Sequence, residues 1–270
     1  MNYKDLITED VEMIPPRIII YGEGGIGKTL FATKFPKPLL IRAENGAGGI
    51  KGVGKLPVLT SIDEFESQLD YVIEGDHEYK TLIIDPLDEI QKLKEKDICQ
   101  ERGVVSIMDV GWGKGSSQLR AYFDDIRWKL DRVQARGMIV VLVAHYSIET
   151  FQDPVGDNYN FFTMNLEKEV WPKMRDWSDA TLFINYETFT KVVDKDKKTV
   201  KAVNSKARRF IYTEKRPAFV AKNRYNLPEV MELYEGNPQK TADELIALIR
   251  KDLVDKDAAG RVVEQAAVVN

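Results

Sequence analysis

Chemistry is most legible in the stretch Gly22-Glu23-Gly24-Gly25-Ile26-Gly27-Lys28-Thr29, which follows the apolar run Ile18-Ile19-Ile20-Tyr21. Its form is G-x-x-x-x-G-K-T. Glycines at these positions let successive backbone N–H groups, from Gly22 through Leu30, turn inward around a phosphate. The helix that follows aims the positive end of its dipole at the same place. A lysine at position 28 reaches the β- and γ-phosphates, and a Thr29 hydroxyl binds Mg²⁺. The pattern predicts a strand, loop and helix that hold a nucleoside triphosphate, ATP, with Mg²⁺. Gly22, Gly24 and Gly27 also satisfy G-x-G-x-x-G, and Glu44 lies 22 residues on, where a ribose-binding acid would sit. A dinucleotide site has no use for Lys28-Thr29 directly after the last glycine, so the triphosphate reading is preferred.

A second motif fits the first. Thr81-Leu82-Ile83-Ile84-Asp85 reads as a buried strand delivering one carboxylate, Asp85, to the Mg²⁺ shell. Hydrolysis also needs a group to polarise the attacking water. The position after Asp85 is Pro86, so the carboxylate must come from elsewhere, and Glu44 at the end of the second strand is the candidate. Should Glu44 not serve, Asp88 and Glu89 are next.

These groups need a scaffold. The chain has 270 residues, 43% of them hydrophobic, enough for one α/β core with small appendages. A net charge of −4 gives no global basic field, so any nucleic-acid contact must be local. One cysteine, Cys99, precludes an intramolecular disulfide, and two histidines cannot build a metal cluster. The start, MNYKDLITEDVEM, has no apolar signal region, and no run approaches a membrane span. A soluble intracellular protein is expected.

Strand and helix signals alternate, predicting a mostly parallel sheet with helices on both faces. Pro15-Pro16 open the first strand, and the phosphate-loop helix is short, stopped at Phe35-Pro36-Lys37-Pro38. The second strand spans residues 39–41. Ser61-x-x-Glu64 caps a helix burying Ile62, Phe65, Leu69, Val72 and Ile73. A third strand at 79–84 is followed by a polar helix at about 87–101 and a loop at 103–115. The clearest helix is 117–136, with Leu119, Tyr122, Phe123, Ile126, Leu130 and Val133 on one stripe and Gly137 at its end. Residues 138–144 form a strand buried on both faces. An irregular stretch then runs to about 169, followed by a segment at 171–179 and a strand at 180–186. Residues 188–193 and 199–203 read as a hairpin turning at 194–198. A last strand covers 218–221. Thr241-x-x-Glu244 caps a helix ending near Val254, and a frayed tail starts at Asp255. In domain terms, 1–16 is a leader, 17–228 the core, and 229–270 a C-terminal helix and tail.

In order along the chain, GEGGIGKT, LLIRAENG, TLIID, VLVAHY and VAKNRYNLP make the sequence resemble the phage-encoded RecA-like ATPases of single-strand annealing and recombination. The resemblance covers roughly residues 17–228. It implies a RecA-like P-loop fold, ATP hydrolysis stimulated by single-stranded DNA, and a cytoplasmic location in a phage-infected or lysogenic bacterium. It also implies self-association with nucleotide at subunit interfaces, and a phage single-strand-binding protein as partner. By residue, Glu44 looks like the family's catalytic glutamate. His145, at the end of the fourth strand, stands where the family has a Gln or other polar residue that senses the γ-phosphate. Lys222 and Arg224 resemble cations that reach a neighbouring subunit's γ-phosphate, and their alternation with Asn223 puts both on one side of an extended segment.

For DNA, the resemblance points to residues 103–115, with Trp112 and Lys114, and to 146–169, with Phe151, Tyr159, Phe161 and Phe162. Aromatics can stack on bases, but a groove that tracks the backbone wants positive charge. The better electrostatic candidate is 191–216, with ten Lys/Arg against three Asp/Glu. Two other readings share the phosphate loop: a nucleotide or small-molecule kinase, which needs a lid of clustered arginines, and an ATP-gated assembly protein with negligible turnover.

Overall fold

The computed structural model describes residues 13–187, 189–194, 199–203 and 208–268. The chain begins with β1 (Arg17–Gly22), α1 (Lys28–Ala32), β2 (Pro38–Arg42), β3 (Gly54–Val58), α2 (Ile62–Glu74), β4 (Thr81–Asp85), α3 (Leu87–Arg102) and α4 (Lys114–Ala135). It continues through β5 (Ile139–Phe151), β6 (Tyr159–Met164), α5 (Val170–Trp177), β7 (Ala180–Tyr186), β8 (Phe189–Asp194) and β9 (Thr199–Val203). Last come β10 (Arg209–Tyr212), β11 (Lys222–Asn223), β12 (Val230–Leu233) and α6 (Pro238–Val268).

The main sheet has the order β12-β10-β7-β1-β5-β4-β2-β3. From β7 to β3 every pairing is parallel, while β10 and β12 add an antiparallel edge. Alternation along β1 divides the core into two layers. Ile19 and Tyr21 join the α2, α3 and α4 side, and Ile18 and Ile20 join the α1 and α6 side. Strands covered on both faces explain the unbroken apolar runs of β1, β4 and β5. This is a mostly parallel α/β core with the glycine-rich loop at the end of β1. Among the described residues, no helix is long and apolar enough to cross a membrane.

The helices follow their stripes. Ser61 accepts the Glu64 N–H at the start of α2, which buries the five apolar residues expected of it. Helix α4 begins three residues earlier than its stripe predicts and buries Leu119, Phe123, Ile126, Leu130 and Val133. Leu130 is fully buried between α4 and the sheet. Leu130→Ala is expected to cost about 2–5 kcal/mol, measured as a lowered urea midpoint at unchanged m-value.

Several expectations are corrected. Strand β3 went unread because Lys55 and Pro57 break its apolar pattern, which is the chemistry of an edge strand. The stretch after His145 is not irregular. Strand β5 runs on to Phe151, beyond the parallel sheet, and forms a hairpin with β6. Residues 218–221 make two hydrogen bonds to Phe162 instead of a full strand, and β10 and β12 take the sheet edge. Helix α6 begins at Pro238 rather than under a Thr241 cap. Asn237 accepts the Lys240 N–H, while Thr241 ties back to β12 through Glu232 O and the Tyr234 N–H. The helix passes Val254 and reaches Val268, through the segment read as a frayed tail. Strands β8 and β9 pair as the expected hairpin, but residue 188 and the turn residues 195–198 lie outside the described residues.

Candidate nucleotide site

Strand β1 ends at Gly22, where a side chain is impossible: a Cβ there would lie 2.4 Å from the Ile184 carbonyl oxygen of β7. The loop that follows exposes Glu23, Gly24 and Gly25, buries Ile26, and enters α1 through Gly27 at φ +104°. That left-handed turn favours glycine, and a Cβ on Gly27 would meet Arg209 Nη1 at 2.6 Å. Thr29 and the exposed Leu30 complete the first turn of α1.

Lys28 is buried and donates its ammonium to two loop carbonyls, Gly22 O at 3.0 Å and Glu23 O at 2.8 Å. Burial lowers its pKa, and the carboxylates of Asp85, Asp88, Glu44 and Glu23 oppose that. Asp85 is buried at the end of β4. Burial raises its carboxyl above the usual range. The Thr29 hydroxyl bond lowers it, Glu44 raises it further, and Lys28 and His145 lower it. A hydroxyl bonded to a buried, under-compensated carboxylate is a suitable oxygen pair for a hard divalent cation, which takes one or two protein oxygens and completes its shell with phosphate and water. Thr29 and Asp85 therefore fit Mg²⁺.

Strand β2 brings Glu44 to the same sheet edge, but not next to the loop. Strands β4 and β5 stand between β2 and β1. In a dinucleotide fold the acid-bearing second strand adjoins the first, so this order removes the ribose-binding reading of Glu44. Ala43 donates its N–H to Asp85 O at 2.9 Å, which holds the start of the Glu44 turn against the end of β4. The exposed Glu44 carboxylate acts electrostatically on Lys28, Asp85 and His145.

His145 is in register with Gly22, between the phosphate loop and the Asp85 strand. Its backbone N–H donates to Asp88 Oδ1 at 2.8 Å, and its Nδ1 meets Asp88 Oδ2 at 3.0 Å. Asp88, read only as a reserve base, is thus occupied. An acid in the first turn of a helix reads from sequence as a dipole partner, which hid this contact. Arg209 was missed altogether. It reaches from β10 to donate to Ile26 O at 2.9 Å, bracing the loop from outside. Among the described residues it is the one arginine bonded to the loop.

Lys222 and Arg224 do project to one side, but away from this chain's own loop. They sit beside the start of β7, whereas the loop lies near its end. Lys222 caps α5, donating to the carbonyls of Arg175, Asp176 and Ser178 at 3.1, 2.6 and 2.6 Å. Arg224 pairs with Asp179 at 3.0 Å, a carboxylate shared with Arg17. Reaching a neighbour's phosphate would require Lys222 to leave three carbonyls.

The aromatic candidates divide. Phe162 stacks on Phe183 and Phe161 packs edge-on against Trp171, so both are partly buried against the core and their ring faces are in part already taken. Val105, Met108 and Trp112 stand exposed in the loop before α4, and Ile148, Phe151 and Val155 on the β5–β6 hairpin. Within the basic stretch, Arg208 pairs with Glu187 and Arg216 with Glu229.

A family model described as an AAA domain matches residues 14–225. The SPbeta prophage-derived uncharacterized protein YorG of Bacillus subtilis (strain 168) is 28% identical over 188 residues, 68% of this chain and 54% of YorG. The chain thus spans about half the length of that curated relative. The crystal structure of the flagellar accessory protein FlaH from Methanocaldococcus jannaschii aligns with a TM-score of 0.43 at 13% identity, covering 81% of this chain and 85% of FlaH.

Proposed function

This chain belongs to the AAA domain family, and we propose that it hydrolyses ATP in a cycle coupled to single-stranded DNA during phage recombination, annealing or repair. The observation that carries the ATPase half is the meeting of Lys28, Thr29, Asp85, Glu44 and His145 at one end of the sheet. In this reading the loop amides and Lys28 hold the phosphates. Glu44 orients the attacking water and takes up its proton, and His145 faces the γ-phosphate. Thr29 and Asp85 would hold Mg²⁺, which when bound would supply positive charge against the phosphates.

Support for DNA is of a different kind. The ordered motifs favour a recombination role, the prophage-derived relative agrees with a phage setting, and the exposed Trp112 and Phe151 are available for base stacking. Assembly around nucleotide belongs to the same reading, with Lys222 and Arg224 acting in trans only after they leave the α5 carbonyls and Asp179.

The test is steady-state ATP turnover with and without single-stranded DNA at low salt. Stimulation of about tenfold or more is expected, corresponding to roughly 1.4 kcal/mol off the barrier. Equal turnover in both, with no DNA bound in the presence of ATP, would overturn the recombination role. Binding without turnover would favour the ATP-gated assembly protein.

A further inference from the structure

Asp88 is almost fully buried, yet it serves neither the metal chemistry of Asp85 nor the water chemistry of Glu44. Both its oxygens are committed to His145, one to the backbone N–H and one to Nδ1. A carboxylate only accepts hydrogen bonds, so this contact keeps a proton on Nδ1 in either charge state of the ring. The atom left to change is Nε2. It makes no hydrogen bond among the described residues, and the ring is about one-third exposed beside the phosphate loop.

We propose that Asp88 is a positioning residue that orients His145, so that its imidazolium donates from Nε2 to the γ-phosphate and supplies in cis the cation that other ATPases borrow from a neighbour. The proposal rests on the loop being an ATP-hydrolysing site. It explains how the chain can stabilise charge on the transferring phosphoryl group while Lys222 and Arg224 are bound to α5 and Asp179.

The surrounding charges agree. The Asp88 hydrogen bond is the largest influence on His145 and raises its pKa. Burial lowers it, the Asp88 charge raises it, Lys28 from the loop side lowers it, and Glu44 after β2 raises it. The outcome lies above the ordinary histidine value. Burial would raise Asp88, but its bonds to His145 outweigh that and hold it below the usual carboxylate range. Asp85 on β4 also faces the ring electrostatically. A cationic His145 is therefore present below its raised pKa and lost as pH rises through it. Bound triphosphate, being anionic, extends that range upward.

The chain has two histidines, His77 and His145, so ring ¹⁵N–¹H spectra resolve each one. In nucleotide-free protein, His145 is expected to titrate above about 6.5 with its neutral form protonated on Nδ1. Asp88→Asn keeps the size and a carbonyl for the backbone N–H but removes the charge. Its His145 midpoint is expected to fall by about one unit while His77 stays put. In turnover, kcat of the wild type should decline as pH rises past the higher midpoint of the nucleotide-bound ring. That decline should move down by the same interval in Asp88→Asn, with KM for ATP changing less than kcat, and His145→Gln should abolish it.

An unchanged His145 midpoint in Asp88→Asn overturns the positioning role whatever the turnover. A shifted midpoint with an unshifted kcat profile overturns the γ-phosphate role. If the midpoint shifts but even the wild type does not hydrolyse ATP, the hydrolytic reading of the site has failed and the orienting contact stands alone. Should Asp88→Asn not fold, the wild-type spectrum still decides, because a midpoint at or below about 6.5 is incompatible with the proposal.

Discussion

Lys28→Ala is expected to weaken ATP binding by roughly 2–3 kcal/mol, about 30- to 150-fold in Kd, and to bring turnover to background. The size follows from where the ammonium sits. It is buried, anchored on the carbonyls of Gly22 and Glu23, and ringed by four carboxylates that keep it charged against the cost of burial. A pre-positioned, desolvated cation gains more from a phosphate than a surface lysine does. Removing it also leaves Asp85 without the lysine charge that partly offsets its own, so the alanine variant repels the triphosphate as well as failing to hold it. Lys28→Arg would restore charge but not fit, because a planar fork cannot replace a point charge inside this loop. Calorimetric titration with ATP and Mg²⁺ reads the effect directly. An unchanged Kd would sink the assignment of residues 22–30 as the phosphate loop.

Part of this site could be read without coordinates because its determinants are local. The loop, its preceding strand and α1 occupy residues 17–32, and their chemistry depends on spacing along the chain. The same holds for α2 and α4, whose stripes repeat at helical intervals. What escaped was set by distant partners. Arg209 meets Ile26 across 183 residues and Asp88 meets His145 across 57, and neither carries a local signature. Lys222 and Arg224 show the boundary well. Alternation correctly put them on one side, but nothing in the spacing says that this side faces α5 carbonyls rather than a phosphate.

Edge strands were lost for a related reason. Strands β3 and β12, at the two edges, are short and interrupted by Pro57 and by Glu232, and β10 beside β12 has four residues and starts at a charged one, Arg209. Strands half open to solvent do not need the apolar continuity that made β1, β4 and β5 obvious. Strand β5 was cut short on the same logic. Its apolar run ends at Ala144, where double coverage ends, while its pairing with β6 continues to Phe151.

Glu44→Gln is expected to lower kcat by about 10²- to 10⁴-fold while leaving the Kd for ATP within about threefold, the pattern of a group that acts on water. Glutamine keeps the shape and an acceptor oxygen but cannot take a proton. Glu44 is exposed on a turn held to β4 through Ala43, so the substitution does not open a core or unseat the loop. Its electrostatic side effects can be signed. Glu44 raises the pKa values of Asp85, Lys28 and His145, so its loss lowers all three. Asp85 becomes easier to ionise, which favours Mg²⁺ rather than weakening it. Asp85→Asn should do the reverse, costing Mg²⁺-dependent affinity through loss of the metal-side carboxylate. Single-turnover measurements separate the two variants, since Glu44→Gln should bind at wild-type ATP concentrations and then stall. If Glu44→Gln keeps kcat within about threefold, the base is elsewhere. Asp88 is not free to replace it, because both its oxygens are bonded to His145. That result would leave Glu89, the partly exposed residue of the otherwise buried first turn of α3, which pairs with Lys92, as the carboxylate to test.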